Sequence, residues 1–185
     1  MRTNHPAFSP PRAARLTPLA AAFAMALSPA AFGVSLVVNT TAPTGPGSLG
    51  QAILDANAAC GSSPVISFAL TGTGPFVIQP SAQLPAFCGA IDGYSQAGAT
   101  ANSAAAGFNA ALKVTLDGSS QSYGCGLTTS NAGYGPIVVK GLTIQDFDSG
   151  VCGRADLFGN VIRNNNYGAD LYGYGFTIGG SAPAD

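Results

Sequence analysis

The sequence predicts an all-β solenoid, in which short strands stack coil upon coil behind a single short helix. Only 8% of the 185 residues are charged, while Gly (25) and Pro (13) are abundant, a composition that favours tight turns. Residues 63–185 contain short apolar runs bounded by Gly, Pro, Asn or Asp, without helical periodicity. Part of this region is also an internal repeat, which favours stacked coils over a sandwich or barrel.

Residues 1–33 have the organisation of a secretory signal peptide. Three arginines precede an apolar run over residues 16–27, and small residues lead to a cleavage site after Gly33. The run is short for a membrane span, and an uncleaved anchor is the alternative. Because no later stretch could cross a bilayer, we expect a secreted protein, extracellular or on the cell surface, without a membrane span after cleavage.

Cleavage at this site changes the charge and the chemistry of the chain. The mature part keeps four basic residues against eight Asp, a net charge of −4, and it loses His5, the only histidine. A chain without histidine has no His general base and no His metal ligand. It also has no basic stripe, which argues against binding to nucleic acid.

All four cysteines lie in the mature part, at Cys60, Cys88, Cys125 and Cys152. An even number in an exported chain indicates two disulfides, and four cysteines allow three pairings. We favour the nearest-neighbour pairing, Cys60 with Cys88 and Cys125 with Cys152. A structural zinc site would need closely spaced pairs such as C-x-x-C, and the chain has none.

A strand over Val34–Val38 and one helix, from Ser48 to about Ala59, open the mature chain. Ser48 is the expected N-cap, Gln51 completes a capping box, and Gly61 is expected to end the helix. Four apolar residues form one stripe on this helix: Leu49, Ala52, Ile53 and Ala56. We expect the stripe to cover the open end of a sheet, with Cys60 tying the helix to the first coil.

The apolar runs that follow predict the strands. They are Val65–Phe68, Phe76–Ile78, Ala90–Ile91, Leu112–Leu116, Ile137–Val139, Gly141–Ile144 and Val161–Ile162. Gly141–Gly150 aligns without gaps to Gly159–Gly168, so that Ile144 lies over Ile162. A second match relates Ile91-Asp92-Gly93 to Leu116-Asp117-Gly118. The asparagines at 164–166 predict a ladder of stacked amides at a turn.

The segment Pro46–Asn57 resembles the N-terminal cap of secreted bacterial β-helix repeat proteins that carry a CSLREA-type motif. Ile91–Gln96, Leu116–Gly118 and Thr177–Pro183 are similar to further motifs of that family, although Gly47 and Gly50 replace its Cys and Arg. The resemblance implies a pectin-lyase-like fold, a right-handed parallel β-helix. It predicts a signal peptide (1–33), a cap strand and helix (34–62) and β-helix turns (63–185) that are truncated at the C-terminus.

Candidate chemistry is confined to a few polar residues. Enzymes of this fold act on acidic polysaccharides through Asp, Arg or Lys, and Asp146, Asp148, Arg163 and Asp170 are the residues of those types that we consider. Asp146 and Asp148, with the facing asparagines, could ligate Ca²⁺. The alternative is a solvated turn, in which Asp and Asn are simply good turn formers. We therefore expect no catalytic residue and no cofactor, with Ca²⁺ as the alternative.

Three functions remain open for the chain. The first is an exported structural or adhesive module that has no chemistry of its own and meets a polysaccharide or another cell-surface component. The second is a polysaccharide lyase or glycoside hydrolase that uses Asp146, Asp148 and Arg163. The third is a carbohydrate-binding module that uses the aromatic cluster near the C-terminus. That cluster comprises Tyr167, Tyr172, Tyr174 and Phe176.

Overall fold

The computed structural model describes residue 1 and residues 36–121, 124–129, 135–173 and 175–179. The chain divides into two compact units, residues 1–32 and residues 33–185, and every element described below belongs to the second. The predicted signal peptide lies outside the described residues except for Met1, and so do Tyr174 and residues 180–185. No helix in the described ranges is long and apolar enough to cross a membrane.

The described residues form one α-helix and twelve short strands. The helix α1 (Leu49–Asn57) lies between the first two strands in the chain. The strands are β1 (Val37–Val38), β2 (Val65–Phe68), β3 (Phe76–Ile78), β4 (Ala90–Asp92), β5 (Val114–Asp117), β6 (Cys125–Thr128), β7 (Ile137–Lys140), β8 (Leu142–Gln145), β9 (Ser149–Gly153), β10 (Ala155–Phe158), β11 (Val161–Arg163) and β12 (Tyr167–Leu171).

The strands form three sheets in which every pairing is parallel. Sheet 1 has the order β1-β2-β4-β7-β10, sheet 2 has the order β3-β5-β8-β11, and sheet 3 has the order β6-β9-β12. From β7 onward the chain visits sheets 1, 2 and 3 in turn and then visits them again. The predicted β class is therefore confirmed, as a largely β fold with parallel sheets.

The repeat of residues 141–150 in residues 159–168 is confirmed by the strand register. Ile144 pairs with Ile162 in sheet 2, as predicted, and Gln145 pairs with Arg163, 18 residues further along the chain. The same offset relates Val139 to Leu157 in sheet 1 and Val151 to Ala169 in sheet 3. Aliphatic residues of successive turns therefore lie directly above one another. Members of all three sheets and of α1 belong to one buried hydrophobic cluster.

The second match in the sequence is wrong as a prediction of stacking. Ile91 belongs to sheet 1 and Leu116 to sheet 2, so the two residues are not partners. What the two segments share is the corner that follows each strand. Asp92 and Asp117 both accept a hydrogen bond from the backbone N–H two residues later, at 3.1 and 2.9 Å. The match therefore reflects the chemistry of a turn.

The helix begins where the sequence predicts but ends earlier. Ser48 is the N-cap, and its hydroxyl accepts from the N–H of Gln51 at 3.2 Å. The predicted capping box is only half formed, because the amide of Gln51 donates instead to Asp55, at 2.9 Å. The helix ends at Asn57, and Gly61 lies in a separate 3₁₀ turn (Cys60–Ser62) rather than at the helix end. The predicted apolar stripe is buried as expected: Leu49, Ala52, Ile53 and Ala56.

Two disulfides join the cysteines in the favoured pairing. Cys60 is bonded to Cys88, with a Cα–Cα distance of 5.7 Å, and Cys125 is bonded to Cys152, at 5.9 Å. The first disulfide ties the turn after α1 to the segment before β4, and the second ties β6 to β9. Each bridge thus connects segments that lie in or next to paired strands. Two disulfides fit an extracellular protein.

At the corners between strands, amide side chains form hydrogen bonds to the backbone of the neighbouring segment. They do so where the backbone hydrogen bonds of the sheets end. Asn165 accepts from the N–H of Phe147 and donates to the carbonyl of Ile144. Asn160 bonds in the same way to the N–H of Leu142 and the carbonyl of Val139. A primary amide carries one acceptor and one donor group, so it can replace a peptide unit of an adjacent strand. We call these side chains amide clips.

The predicted asparagine ladder is not formed in the way the sequence suggested. Asn165 is an amide clip to backbone, Asn166 donates to the carboxylate of Asp148 at 2.9 Å, and Asn164 adopts a left-handed conformation with φ 56°. The three asparagines therefore have different roles in one corner. A ladder needs asparagines at the corresponding positions of neighbouring turns. The positions that correspond to residues 164–166 are Asp146, Phe147 and Asp148, so these asparagines have no amides there to bond.

Replacing Gln96 should destabilise the fold strongly, because this side chain is a buried amide clip. Gln96 is 2% exposed, and its amide accepts from the N–H of Leu70 at 2.8 Å and donates to the carbonyl of Leu70 at 3.0 Å. In Gln96→Leu both backbone groups would be left buried without a partner, which should lower the free energy of unfolding by at least about 2 kcal/mol. Urea denaturation measures this. The exposed Gln83→Leu is the control, and equal losses in both variants would contradict the clip.

Candidate functional site

Three of the charged residues singled out from the sequence lie at or just after the ends of two paired strands, β8 and β11. Asp146 and Asp148 follow β8, and Arg163 is the last residue of β11, which pairs with β8. Asp146 adopts a left-handed conformation with φ 60°, and Asn164, its counterpart in the repeat, adopts the same one with φ 56°. The backbone therefore makes the same turn twice, one above the other. Asp and Asn tolerate this conformation better than other non-glycine residues, which accounts for their presence.

The carboxylate of Asp148 is hydrogen-bonded to a side chain of the second copy of the repeat. It accepts from the amide of Asn166 at 2.9 Å, and Asn166 stands 18 residues further along the chain. The repeat in the sequence predicts that these two residues lie close together. The hydrogen bond therefore joins the two copies of the repeat at an exposed corner.

Arg163 bonds to a side chain of the neighbouring strand β8. Its Nε and Nη2 donate to the side-chain oxygen of Gln145, at 3.0 and 2.8 Å. Among the described residues no ion pair joins Arg163 to Asp146 or Asp148; Lys140 and Asp92 do form one across sheet 1, at 3.0 Å. The structure therefore does not bring the arginine and the two aspartates together as one charged cluster.

A row of polar side chains along sheet 2 was not anticipated from the sequence. The amide of Gln145 donates to Asp117 Oδ2 at 2.9 Å, and the amide of Gln79 approaches Asp117 Oδ1 at 3.5 Å. Because Arg163 donates to Gln145, the four residues form one chain of contacts across β3, β5, β8 and β11. We call this chain the polar row. Its sequence signal is a polar residue directly after an aliphatic one at the end of each strand.

Asp117 is the ionisable centre of the polar row. Burial raises the pKa of this carboxyl, since the residue is only 8% exposed, but hydrogen bonds outweigh that effect. The bonds come from the side chain and backbone of Ser119, from Gln145 and from Gln79, and together they lower the pKa below its ordinary value of 3.8. Asp117 is thus held as a carboxylate, the opposite of what a general acid requires.

The shifted pKa of Asp117 predicts how stability depends on pH. A carboxyl whose pKa is lower in the folded state stabilises the fold above its unfolded pKa, and this contribution disappears as the pH falls through the folded value. We therefore expect Asp117→Asn to be less stable than the parent at pH 7, with the difference shrinking below about pH 4. Urea denaturation of the parent and of Asp117→Asn, at pH 7 and below about pH 4, measures this difference in the free energy of unfolding. A difference that stays constant with pH would contradict the shift.

The predicted Ca²⁺ ligands gain no further acidic neighbours. Within the described ranges no three His, Cys, Asp or Glu side chains come together in a group that could hold a metal ion. Protein sites for Ca²⁺ use six to eight oxygens, usually with several carboxylates. Asp148 already accepts from Asn166, so the amide of that asparagine presents its nitrogen to the carboxylate. The corner therefore resembles a hydrogen-bonded turn.

The aromatic cluster near the C-terminus is accessible to solvent. Tyr167 is 64% exposed, Tyr172 49% and Phe176 36%, whereas Tyr174 lies outside the described residues. Asp170 is exposed on the same strand as Tyr167, β12. Flat exposed rings of this kind can stack on sugars or pack against another protein surface.

A shallow groove lies beside α1, away from all of these residues. It encloses about 260 Å³ between the outer face of the helix and the loop over residues 81–85, with Leu54 half exposed at its edge. Among the described residues no charged side chain lines it, and its polar side chains are those of Thr44, Gln51, Ser81 and Gln83. It therefore offers hydrogen-bonding groups but no charge with which to orient a small ligand.

No protein-family model matches the sequence, and neither a curated protein nor a solved structure matches it.

Proposed function

We propose that the chain is an exported structural or adhesive module built as a right-handed parallel β-helix with an N-terminal helical cap. The observation that carries this function is that the polar side chains are hydrogen-bonded to one another between neighbouring strands and turns. Arg163 binds Gln145, Asp148 binds Asn166, and Asp117 is held by its own turn and by the polar row. Two of the three candidate catalytic residues, Arg163 and Asp148, thus form hydrogen bonds that would join one coil to the next.

The β-helix is supported by the succession and register of the strands. Parallel strands in three sheets, visited in rotation with one common offset, are what a coil with three strands per turn requires. Right-handedness follows from the general preference of parallel crossover connections. The helix α1 contributes its buried stripe to the same hydrophobic core as β1 and β2, which supports a capping role.

Export and a cell-surface location are supported by the disulfides and by the signal-like organisation of residues 1–33. Disulfides persist in oxidising compartments, and both bridges here tie neighbouring coils. The partner we propose is a polysaccharide or another component of the cell surface.

The second candidate function is carbohydrate binding, which the exposed rings of Tyr167, Tyr172 and Phe176 favour. One experiment separates it from the structural role and from an enzyme. The oxidised, exported chain is tested for retention on cell-wall fragments, for binding of soluble oligosaccharides and for release of unsaturated or reducing ends from acidic polysaccharides. The variants are Arg163→Ala, Tyr172→Ala and, as the control for exposed aromatics, Phe108→Ala, which removes a ring that is 51% exposed elsewhere.

A structural or adhesive module should be retained on the fragments and should release no product. Oligosaccharide binding that Tyr172→Ala abolishes and Phe108→Ala leaves intact would replace the proposal with a carbohydrate-binding module. Product release that Arg163→Ala abolishes would replace it with a polysaccharide lyase or hydrolase.

A further inference from the structure

The groove beside α1 has two walls that the fold holds in place. One wall is the start of the helix, which its buried apolar stripe fixes to the core. The other wall is the loop over residues 81–85, which is tied on both sides. Ser120 donates to the carbonyl of Pro80 at 2.8 Å, and Asn57 donates to the carbonyl of Ala86 at 2.9 Å. The groove is therefore a preformed feature of the surface.

Gly50 leaves a space in this groove that the chain itself does not use. It is the second residue of α1, and its backbone is not in the left-handed region that favours glycine. The nearest described atom to an added Cβ would be Cδ2 of Leu84, at 3.7 Å, which is an ordinary contact. Alanine stabilises a helix more than glycine does, so the fold alone would favour alanine here. Glycine instead keeps the space between the helix and Leu84 open, as the close approach of a ligand to a backbone requires.

The side chains of the groove combine uncharged polar groups with apolar ones. Among the described residues, Thr44, Ser81 and Gln83 have no side-chain hydrogen bond to the rest of the chain. A hydroxyl or a primary amide can both donate and accept, so these groups can bond to a ligand that does the same. Leu54 and Pro85 add apolar surface between them.

The lack of charge limits the class of ligand. No charged side chain lines the groove within the described ranges, so a charged ligand would lose hydration there without gaining a partner. A neutral saccharide has the complementary surface, with hydroxyl groups at the edge of the ring and C–H groups on its faces. Extended peptides bind at a strand edge or between aromatic rings, and the described lining residues of this groove include neither.

We propose that this groove binds one neutral sugar residue of a cell-surface polysaccharide. Its volume of about 260 Å³ lies just below the usual range of small-molecule sites, about 300–1,000 Å³, which suits a single ring of a longer chain. The inference rests on the proposed adhesive function, for which it supplies a site and a class of partner. It uses none of the exposed rings near the C-terminus.

Titration of the oxidised, exported chain, followed by the chemical shifts of its backbone N–H groups, tests this site. The probes are three neutral disaccharides: cellobiose, galactobiose and diacetylchitobiose. At least one of them should shift the signals of Gly50 and Gln83. Digalacturonate and a neutral proline-rich hexapeptide are the comparison probes, and neither should shift these signals.

Two variants should weaken the binding of the disaccharide. Gly50→Leu fills the groove and should weaken binding at least about tenfold, while leucine suits a helix and should leave the chain folded. Gln83→Leu removes one hydrogen-bonding group and should weaken binding about fivefold. Gly61→Leu is the matched control, because an added Cβ there meets no described atom within 4 Å, and it should bind like the parent. Tyr172→Ala should also bind like the parent.

Several outcomes would overturn the groove as a sugar site. They are the absence of any shift with all three disaccharides, equal weakening by Gly50→Leu and Gly61→Leu, loss of binding in Tyr172→Ala, and a preference for digalacturonate or the peptide. Thermal melts of each variant accompany the titrations, so that a loss of fold is recognised.

Retention on cell-wall fragments separates this inference from the function on which it rests. If the parent and Gly50→Leu are retained equally and no disaccharide shifts the signals, the groove is overturned and the adhesive module stands. If a disaccharide binds in the groove but the parent is not retained on the fragments, the groove stands and the adhesive function is overturned.

Discussion

Alanine at Gly93 is expected to lower the free energy of unfolding by about 3 kcal/mol, the upper end of the usual cost of overpacking. A Cβ atom at this position would overlap the backbone carbonyl of Gly141 and would also lie against the side chain of Leu142. Gly93 follows β4 and Gly141 follows β7, and these strands are neighbours in sheet 1. The corners that follow these two neighbouring strands therefore touch backbone to backbone. The carbonyl of Gly141 cannot move aside cheaply, because paired strands, β7 and β8, flank the residue on both sides.

Gly61→Ala is the matched control for this prediction. An added Cβ at Gly61 would meet nothing within 4 Å, and the residue has no left-handed backbone conformation. Chemical denaturation of both variants should therefore show a large loss for Gly93→Ala and a loss near zero, or a slight gain, for Gly61→Ala. Similar midpoints for the two variants would mean that the coils do not approach as closely at this corner.

Leu116→Ala should cost about 2–5 kcal/mol, because it opens a cavity in the middle of a stacked column. Leu116 is 1% exposed and lies between Ile78 and Ile144, its partners on the two neighbouring strands of sheet 2. The column cannot close over the gap, since hydrogen bonds fix the spacing of neighbouring strands at about 4.8 Å. The lost contacts should therefore not be replaced by relaxation.

Leu54→Ala provides the comparison for the buried leucine. Leu54 is 50% exposed on α1, and alanine favours a helix as well as leucine does. Urea denaturation should show a change within about 0.5 kcal/mol for this variant. If Leu116→Ala and Leu54→Ala lower the free energy of unfolding equally, the column of inward side chains in sheet 2 does not stabilise the fold as its packing indicates.

The strands of sheets 1 and 2 were predictable because most of them are aliphatic runs. Ile137–Lys140 and Leu142–Gln145 alternate buried and less buried residues, as a half-buried strand should. The strands of sheet 3 were not named from the sequence, nor was β10. Ser149–Gly153 is buried at all five positions yet contains two glycines, so it has no apolar run to detect. Glycine is required there by close approach: a Cβ at Gly150 would overlap the carbonyl of Gly168 in the next turn.

The candidate site was only partly predictable for a related reason. The offset of the repeat correctly placed Asp148 near Asn166, because that offset is constant where no loop intervenes. The polar row was not predicted, because longer loops separate three of its residues in the sequence. Gln79 and Asp117 lie 38 residues apart, and Asp117 and Gln145 lie 28 residues apart. Spacing along the chain therefore carries no signal for the row. Only the strand register brings those side chains together.

The proposed β-helix, in which residues 137–179 form successive turns of one coil, is tested most directly by nuclear Overhauser contacts between backbone protons in solution. The account predicts parallel contacts linking Val139 to Leu157, Ile144 to Ile162 and Val151 to Ala169, all with the same offset along the chain. Antiparallel contacts in these sheets, or offsets that differ between the three sheets, would contradict it.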